Sequence, residues 1–183
     1  SNTVCCDCGS TEAVEWLALD KLVVVCDKCA QVHKSLGAEC SKVVSLTGDR
    51  AVFENKEARE LLFHVSNKIS NSYWVGRLEH DELLKPDAEL EERTEYISQK
   101  YIQRSFRSIE KAFKTKDSLI RGVKSQNVPL ILKALCLGAN PSERVIKETS
   151  GRMIDLSIFE YSLNNFATDV IEGTRIYHIS QLL

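Results

Sequence analysis

Residues 5–29 read CCDCGSTEAVEWLALDKLVVVCDKC and contain two Cys-x2-Cys pairs. The first pair is Cys5 and Cys8, the second is Cys26 and Cys29, and 17 residues separate Cys8 from Cys26. Each pair can form a tight knuckle that directs two thiolates at one metal, and four thiolates suit tetrahedral zinc. Because four sulfur ligands leave no open coordination position, the spacing predicts a structural zinc site and not a catalytic one.

The other candidate ligands near these pairs have simpler interpretations. Cys6 could replace Cys5, but the Cys-Asp-Cys spacing that this leaves makes a poor knuckle, so Cys6 is interpreted as a packed thiol. His33 is either a ligand or a packed neighbour of the ligands, and four cysteines favour the second interpretation. Cys40 and Cys136 are interpreted as small core residues.

The composition limits the classes of protein that fit. The chain has 183 residues, enough for one domain or two small ones, and its 43% hydrophobic content supports a core. A net charge of −2 gives no general attraction for nucleic acid. No stretch resembles a signal peptide or approaches the ~18 apolar residues of a membrane span. Seven cysteines in such a chain favour reduced, metal-bound thiolates and a cytosolic location.

The segment around the cysteines predicts short strands and one helix. Residues 22–26 form a β-branched run that predicts a buried strand delivering Cys26 to the metal. Asp27 is predicted to cap a helix that ends at Gly37. Residues 43–46 predict a second strand, and Thr47-Gly48-Asp49 predicts a turn that caps the next helix.

Two longer helices are predicted further along the chain, over residues 50–80 and 89–107. The apolar face of the first consists of Leu61, Leu62, Val65, Ile69, Tyr73 and Trp74. That of the second consists of Tyr96, Ile97, Tyr101, Ile102 and Phe106. A basic stretch begins near the end of this helix and continues past it, comprising Lys100, Arg104, Arg107, Lys111, Lys114 and Lys116. This stretch is interpreted as a solvated helix end, with contact to acidic lipid headgroups as the alternative.

The pattern changes near residue 116. Residues 118–124 and 128–141 predict two short helices and a Gly-Ala-Asn turn, and a looser second copy begins near 150–156. The spacing of about 33 residues is the ankyrin period. We therefore expect ankyrin-type helical pairs over 116–183 that pack on a first domain over 3–115.

Several stretches together resemble the ArfGAP zinc domain, whose family activates GTP hydrolysis by Arf-type small GTPases. They are residues 5–9, Trp16, 26–37, 41–46, Asp49, 66–74 and 96–106. An ankyrin segment after this domain is found in the subgroup that carries BAR and PH domains upstream. The resemblance implies an α+β, mostly helical fold: a small four-cysteine zinc domain with a short sheet and surrounding helices, followed by ankyrin-type helical pairs.

The chain departs from the family's motif at the position that matters most for activity. The family places an arginine five positions after the fourth cysteine, where it acts as a finger beside the γ-phosphate; Lys34 stands there in this chain. Arginine offers a planar fork to several phosphate oxygens, whereas lysine offers a point charge. Lys34 is therefore either a weaker finger or a solvated lysine. Further departures are Val44 for a second arginine, Glu39 for a histidine and Leu22 for a glycine.

The implied function is a GTPase-activating module for GTP-bound Arf in vesicle trafficking, a regulator and not itself a hydrolase. Trp16, Lys42 and Asp49 are the implied partner contacts, with a core tryptophan as the alternative for Trp16. The resemblance further implies a cytoplasmic location peripheral to Golgi or endosomal membranes, reached through the parent protein. An Arf-binding pseudo-GAP without activity is the alternative. A nucleic-acid-binding zinc module is disfavoured because acidic residues outnumber basic ones over residues 1–33.

Overall fold

The computed structural model describes residues 2–47, 55–149, 151–168 and 173–183. Its mixed, mostly helical architecture confirms the predicted α+β class. The strands are β1 (Trp16–Ala18), β2 (Val23–Val25), β3 (Val43–Ser45), β4 (Arg144–Thr149), β5 (Arg152–Ser157), β6 (Ala167–Thr168) and β7 (Arg175–Ile176). The helices are α1 (Asp27–Ser35), α2 (Lys56–His64), α3 (Asn67–Trp74), α4 (Leu90–Tyr101), α5 (Thr115–Lys124), α6 (Val128–Cys136), α7 (Ile158–Ser162) and α8 (His178–Leu182).

The sheet that carries the cysteine segment has the antiparallel order β2-β1-β3. Leu17 in the central strand lies opposite Val24 on one side and Val44 on the other. All of β2 is buried, as the β-branched run predicts. The turn between β1 and β2 contains Leu22 with a φ of 51°, a left-handed conformation that side chains rarely adopt. Glycine, the family's residue at this position, adopts it without steric cost.

Helix α1 begins one residue earlier than a cap at Asp27 would allow. The N-cap is Cys26, which keeps the extended backbone of the strand it follows, and its side chain makes no capping hydrogen bond. Asp27 is instead the first helical residue and accepts a hydrogen bond of 2.9 Å from the Gln31 amide. The helix ends at Ser35, and Gly37 follows with a φ of +88°. The residues therefore form the predicted helix, but the predicted cap is wrong.

The predicted single helix over residues 50–80 is two helices. Val65 adopts an extended conformation between α2 and α3, and the Ser66 hydroxyl accepts a hydrogen bond from the Ile69 amide, which starts α3 afresh. The change in direction leaves Ile69 37% exposed, so its predicted place on a common apolar face is wrong. Helix α2 is capped by the Asn55 side chain, and the predicted capping turn at Thr47-Gly48-Asp49 extends outside the described residues.

Helix α4 ends at Tyr101 and does not reach residue 107. Ile102 is 44% exposed, and Arg104 has a φ of 54°, which no right-handed helix can contain. Of the predicted apolar face, the three side chains that lie within the helix are buried: Tyr96, Ile97 and Tyr101. The apolar periodicity predicts too long a helix because apolar residues continue past Tyr101 in an irregular segment.

The first predicted C-terminal unit is present as the helical pair α5–α6. The Asn127 side chain accepts a hydrogen bond from the Leu130 amide at the start of α6, and Pro129 lies in its first turn. Gly138, in the predicted turn, has a φ of +101°. The second unit differs: residues 152–157 form strand β5, which pairs with β4 as a hairpin, and the short α7 follows directly. The expectation of ankyrin repeats in this segment stays a prediction.

The C-terminal helices pack directly against the helices that precede residue 115. Helix α6 contacts α3, and α8 contacts α2. The Cys136 thiol donates to the Tyr73 carbonyl at 3.4 Å, and the rings of His64 and His178 stack with centroids 6.2 Å apart. The division into domains at 3–115 and 116–183 stays a prediction. Within the described ranges, none of the helices has the length and apolar character needed to cross a bilayer.

Candidate metal centre and the loop that follows it

The two cysteine pairs converge on one point. Cys5, Cys8, Cys26 and Cys29 are all buried, and their sulfur atoms lie within 4.8 Å of one another. The Sγ atoms of Cys8 and Cys26 are 3.7 Å apart. Four sulfurs at ~2.3 Å from a tetrahedral zinc would be separated by roughly 3.8 Å, so the cluster fits the metal and the predicted ligand set.

The remaining cysteines are not part of this cluster. The Cys6 thiol donates to the Asn71 side-chain oxygen at 3.1 Å, and burial raises its pKa to about 12, so it stays protonated where a ligand would be a thiolate. This confirms its interpretation as a packed thiol. Cys136 is a core residue as predicted, but Cys40 is only partly buried, so the core interpretation of Cys40 is wrong.

Helix α3 holds the first knuckle against strand β2 through two asparagines. The Asn67 side chain accepts from the Val24 amide at 2.7 Å and donates to the Val24 carbonyl at 2.8 Å and the Val4 carbonyl at 2.7 Å. Asn71, one turn later, donates to the Cys6 carbonyl at 2.8 Å. These contacts satisfy backbone groups that the short sheet leaves unpaired, and they explain why the sequence of α3 is rich in asparagine.

Arg93 supplies positive charge beside the sulfur cluster. Its Nη1 donates to the Cys29 sulfur at 3.0 Å, while Nη2 donates to the carbonyls of Pro86 and Ala88 at 3.1 and 3.0 Å. Four thiolates around Zn²⁺ carry a net charge of −2, so a buried guanidinium next to one sulfur compensates part of it. Helix α4 is thereby attached to the metal centre.

Asp7, between the ligands of the first knuckle, is the centre of a buried ionic network. Its Oδ1 accepts from the Lys100 ammonium at 2.8 Å and the Tyr101 hydroxyl at 2.7 Å. Burial alone would raise the pKa of Asp7, but the Lys100 charge and His33 outweigh this and hold the pKa well below its ordinary value. Lys100 is 0% exposed, so its predicted place in a solvated basic stretch is wrong: the ion pair with Asp7 is what permits its burial.

His33 is packed and is not a metal ligand, as its preferred interpretation predicts. The ring is 0% exposed. Its Nε2 lies 2.9 Å from Asp7 Oδ2, and its Nδ1 lies 2.8 Å from the Ser41 hydroxyl. Both ring nitrogens are thus occupied by protein partners.

Lys34 follows His33 and points outward. Its side chain is exposed in the last turn of α1, and its Nζ lies 3.3 Å from the centroid of the half-buried Trp16 ring. No carboxylate within the described ranges pairs with it. The structure therefore brings together two of the predicted site residues, one cationic and one aromatic.

The other two predicted contact residues are Lys42 and Asp49. Lys42 is exposed, and its backbone N–H donates to the Asp20 carboxylate at 3.0 Å; in the described part of the chain, no hydrogen bond, ion pair or ring contact joins it to Lys34 or Trp16. Asp49 lies outside the described residues. The roles of both remain predictions.

Sequence reasoning missed the residues that support the metal centre from α4, namely Arg93, Lys100 and Tyr101. Lys100 and Tyr101 lie 93 and 94 positions from Asp7, and charge patterning alone marked Lys100 as a solvated residue. One usable signal was present: an aspartate directly between two metal ligands has to be neutralised if the knuckle is buried.

The fold and the site define a class of protein: a zinc-centred α+β module with a basic side chain displayed on an aromatic ring beside the metal knuckles. The family model ArfGap, described as "Putative GTPase activating protein for Arf", matches residues 1–110. The chain belongs to the ArfGap family, and its four-cysteine site binds structural zinc.

Individual relatives agree with this assignment. The human protein "Arf-GAP with Rho-GAP domain, ANK repeat and PH domain-containing protein 2" is 38% identical over 138 residues, which cover 75% of this chain and 8% of that protein. The Saccharomyces cerevisiae protein "ADP-ribosylation factor GTPase-activating protein effector protein 1" is 34% identical over 194 residues, covering 100% of this chain and 39% of that protein. "Protein csx2" of Schizosaccharomyces pombe is 30% identical over 140 residues, which cover 76% of this chain and 16% of that protein. The chain thus corresponds to a minor part of each relative.

Proposed function

We propose that this chain is a GTPase-activating module that docks on a GTP-bound Arf-family GTPase and presents Lys34 to the nucleotide. The observation that carries the proposal is the exposed Lys34 ammonium on Trp16, at the end of a helix whose other end contributes Cys29 to the zinc site. Family membership supports the identity of the partner. Nucleotide, magnesium and the attacking water belong to that partner.

The zinc centre contributes rigidity to this proposal. A finger works only if its charge arrives at the γ-phosphate without further ordering of the chain. Helix α1 is fixed at its first turn by Cys26 and Cys29, and its last turn carries Lys34. The side chain beyond Cβ is the remaining flexible part, and the Trp16 ring restricts it.

The lysine at position 34 determines how strongly we expect the chain to accelerate GTP hydrolysis. Arginine fingers accelerate GTP hydrolysis by roughly 10³–10⁵ through a fork that contacts several oxygens. A single ammonium neutralises the developing charge at one point, so we expect this chain to be a weaker activator than an arginine-bearing variant. The same substitution supports a second candidate function, an Arf-binding module that has lost activity.

A single-turnover assay of GTP hydrolysis on Arf distinguishes the two functions. The chain is compared with Lys34→Ala and Lys34→Arg, and with Lys28→Ala as the control, because Lys28 is an exposed lysine in the first turn of the same helix. The activating function predicts that Lys34→Ala loses acceleration, Lys34→Arg gains it and Lys28→Ala leaves it unchanged. If Lys34→Ala is as active as the original chain, the catalytic role of Lys34 is wrong.

We also propose that the parent protein acts at the cytoplasmic surface of Golgi or endosomal membranes, where Arf substrates in vesicle trafficking are found. Similarity to proteins named as Arf GTPase activators supports this location. Fluorescence microscopy of the full-length tagged protein against Golgi and endosomal markers tests it, and a diffuse distribution under all conditions would contradict it.

A further inference from the structure

His33 occupies an unusual position for a buried polar residue. It directly precedes Lys34, is 0% exposed and is hydrogen-bonded through both ring nitrogens. Each nitrogen of a buried imidazole needs a hydrogen-bond partner, and the two partners here come from different parts of the chain. Asp7 belongs to the first metal knuckle, and Ser41 precedes strand β3.

His33 thus forms a hydrogen-bonded bridge between Asp7 and Ser41. The Asp7 end of this bridge is fixed independently of His33. Lys100 and Tyr101 occupy Asp7 Oδ1, which leaves Oδ2 for His33 Nε2. Because the ionised carboxylate accepts, Nε2 donates in this contact, and Nδ1 pairs with the Ser41 hydroxyl. The two contacts together fix the orientation of the ring.

The Ser41 end closes the loop that follows α1. The Ser41 amide donates to the Gly37 carbonyl at 2.8 Å, and the Cys40 amide donates to the same carbonyl at 3.0 Å. Beyond Ser41 the chain enters β3, whose Ser45 lies opposite Trp16 in β1. His33 thus joins the last turn of α1 to the sheet that carries the indole.

We propose that His33, held by Asp7 and Ser41, is a positioning residue that keeps the Lys34 ammonium over the Trp16 ring. The reason is geometric: Lys34 shares its backbone turn with an imidazole that two buried partners hold in one rotamer. Ser41 is a second positioning residue in the same bridge. The effect of this bridge on GTP hydrolysis rests on the function proposed above, whereas its effect on the Lys34–Trp16 contact does not.

The contact itself is tested by NMR. Aliphatic protons held over an indole face are shifted upfield, so the Lys34 Hε resonance, assigned by its loss in Lys34→Ala, reports the contact. We expect Ser41→Ala and His33→Gln to reduce the upfield shift. Ser162→Ala is the matched control, because it removes a buried hydroxyl that pairs with Ser180 at 2.7 Å, away from α1, and it should leave the shift unchanged.

The second readout is the kinetics of Arf·GTP hydrolysis with the chain as catalyst. A misplaced catalytic group can lower rates on the order of 10²-fold, so we expect His33→Gln to lower kcat by ~10- to 100-fold with little change in KM. Ser41→Ala should have a smaller effect of the same kind. In a Lys34→Ala background neither substitution should lower kcat further, because the residue through which they act is absent.

The two readouts separate failure of the inference from failure of the proposed function. If the upfield shift persists in Ser41→Ala and in folded, zinc-loaded His33→Gln, the positioning role is wrong. Should His33→Gln fail to fold, Ser41→Ala alone decides. The positioning role is also wrong if His33→Gln or Ser41→Ala lowers kcat in the Lys34→Ala background as much as it does in the original chain. If the original chain does not accelerate hydrolysis at all, the proposed function fails, while the NMR comparison still tests the bridge.

Discussion

The Lys34 ammonium lies 3.3 Å from the centroid of the Trp16 ring, in the last turn of a helix anchored at the metal centre. A cation on an aromatic face at an exposed site contributes about 0.5–1 kcal/mol. That energy is enough to bias the orientation of a long side chain. It is also small enough that the ammonium can leave the ring to contact a phosphate oxygen. The contact is therefore suited to the role proposed for Lys34, because it orients the side chain without retaining it.

Replacing the indole tests this interpretation of Trp16. Trp16→Leu keeps an apolar side chain in β1 but removes the aromatic face, whereas Trp16→Phe keeps a smaller one. We expect activation of Arf·GTP hydrolysis to fall in the order Trp, Phe, Leu, by up to roughly 5-fold, the equivalent of about 1 kcal/mol. Activity of the leucine variant equal to that of the original chain would show that Trp16 is only a core residue.

Removal of one zinc ligand should unfold the N-terminal part of the chain. Structural zinc contributes an apparent ~10–16 kcal/mol to small metal-bound modules, so we expect Cys29→Ser to lose zinc and part of the helical circular dichroism, including that of α1. Cys40→Ser is the control, because Cys40 is a partly buried cysteine outside the cluster. Zinc content by atomic absorption should be one per chain in the control, and an equal content in Cys29→Ser would contradict the assigned ligand set.

Loss of the Lys100 charge should leave the buried Asp7 carboxylate without the ammonium that pairs with it. Removing one partner of a buried ion pair costs about 3–5 kcal/mol, so Lys100→Met should lower the free energy of unfolding by that order in urea denaturation. Lys111→Met, on the exposed surface, should change it by less than ~0.5 kcal/mol. We expect Asp7→Asn combined with Lys100→Met to recover part of the loss, and strict additivity of the two changes would argue against the pair.

Leu22 and Ala13 both have left-handed backbones, with φ of 51° and 47°, but differ in burial. Glycine would relieve about 1–2 kcal/mol of strain at either position. Leu22 is 3% exposed, and losing a buried leucine costs about 2–5 kcal/mol, so Leu22→Gly should be net destabilising. Ala13 is exposed, so Ala13→Gly should be neutral or stabilising by up to ~1 kcal/mol. Thermal unfolding of both variants checks the opposite signs.

The predictable features were those encoded by neighbours in the sequence. The ligand spacing, strand β2 and the α5–α6 pair follow from patterns a few residues long, and the structure confirms each. The break at Val65 was not predictable from periodicity, because apolar residues continue through it and only the Ser66 cap marks it. Strand β5 was missed because a 33-residue period suggested a helix where a hairpin forms.

The burial of Lys100 was unpredictable for a different reason. A lysine among basic neighbours looks solvated unless its partner is known, and Asp7 is distant in the sequence. Likewise, nothing local distinguishes Ser41 from any other loop serine. The residues that orient the candidate site therefore became visible only once the chain was folded.

The separation of Asp7 from Lys100 also orders events during biosynthesis. All four zinc ligands lie between positions 5 and 29, whereas the ammonium that neutralises Asp7 is added 93 positions after it. At ~5–20 residues per second, roughly 5–20 s of translation separate the two residues. A nascent chain can therefore capture its metal first, with Asp7 still in water, and the aspartate is withdrawn from solvent only when helix α4 has left the ribosome.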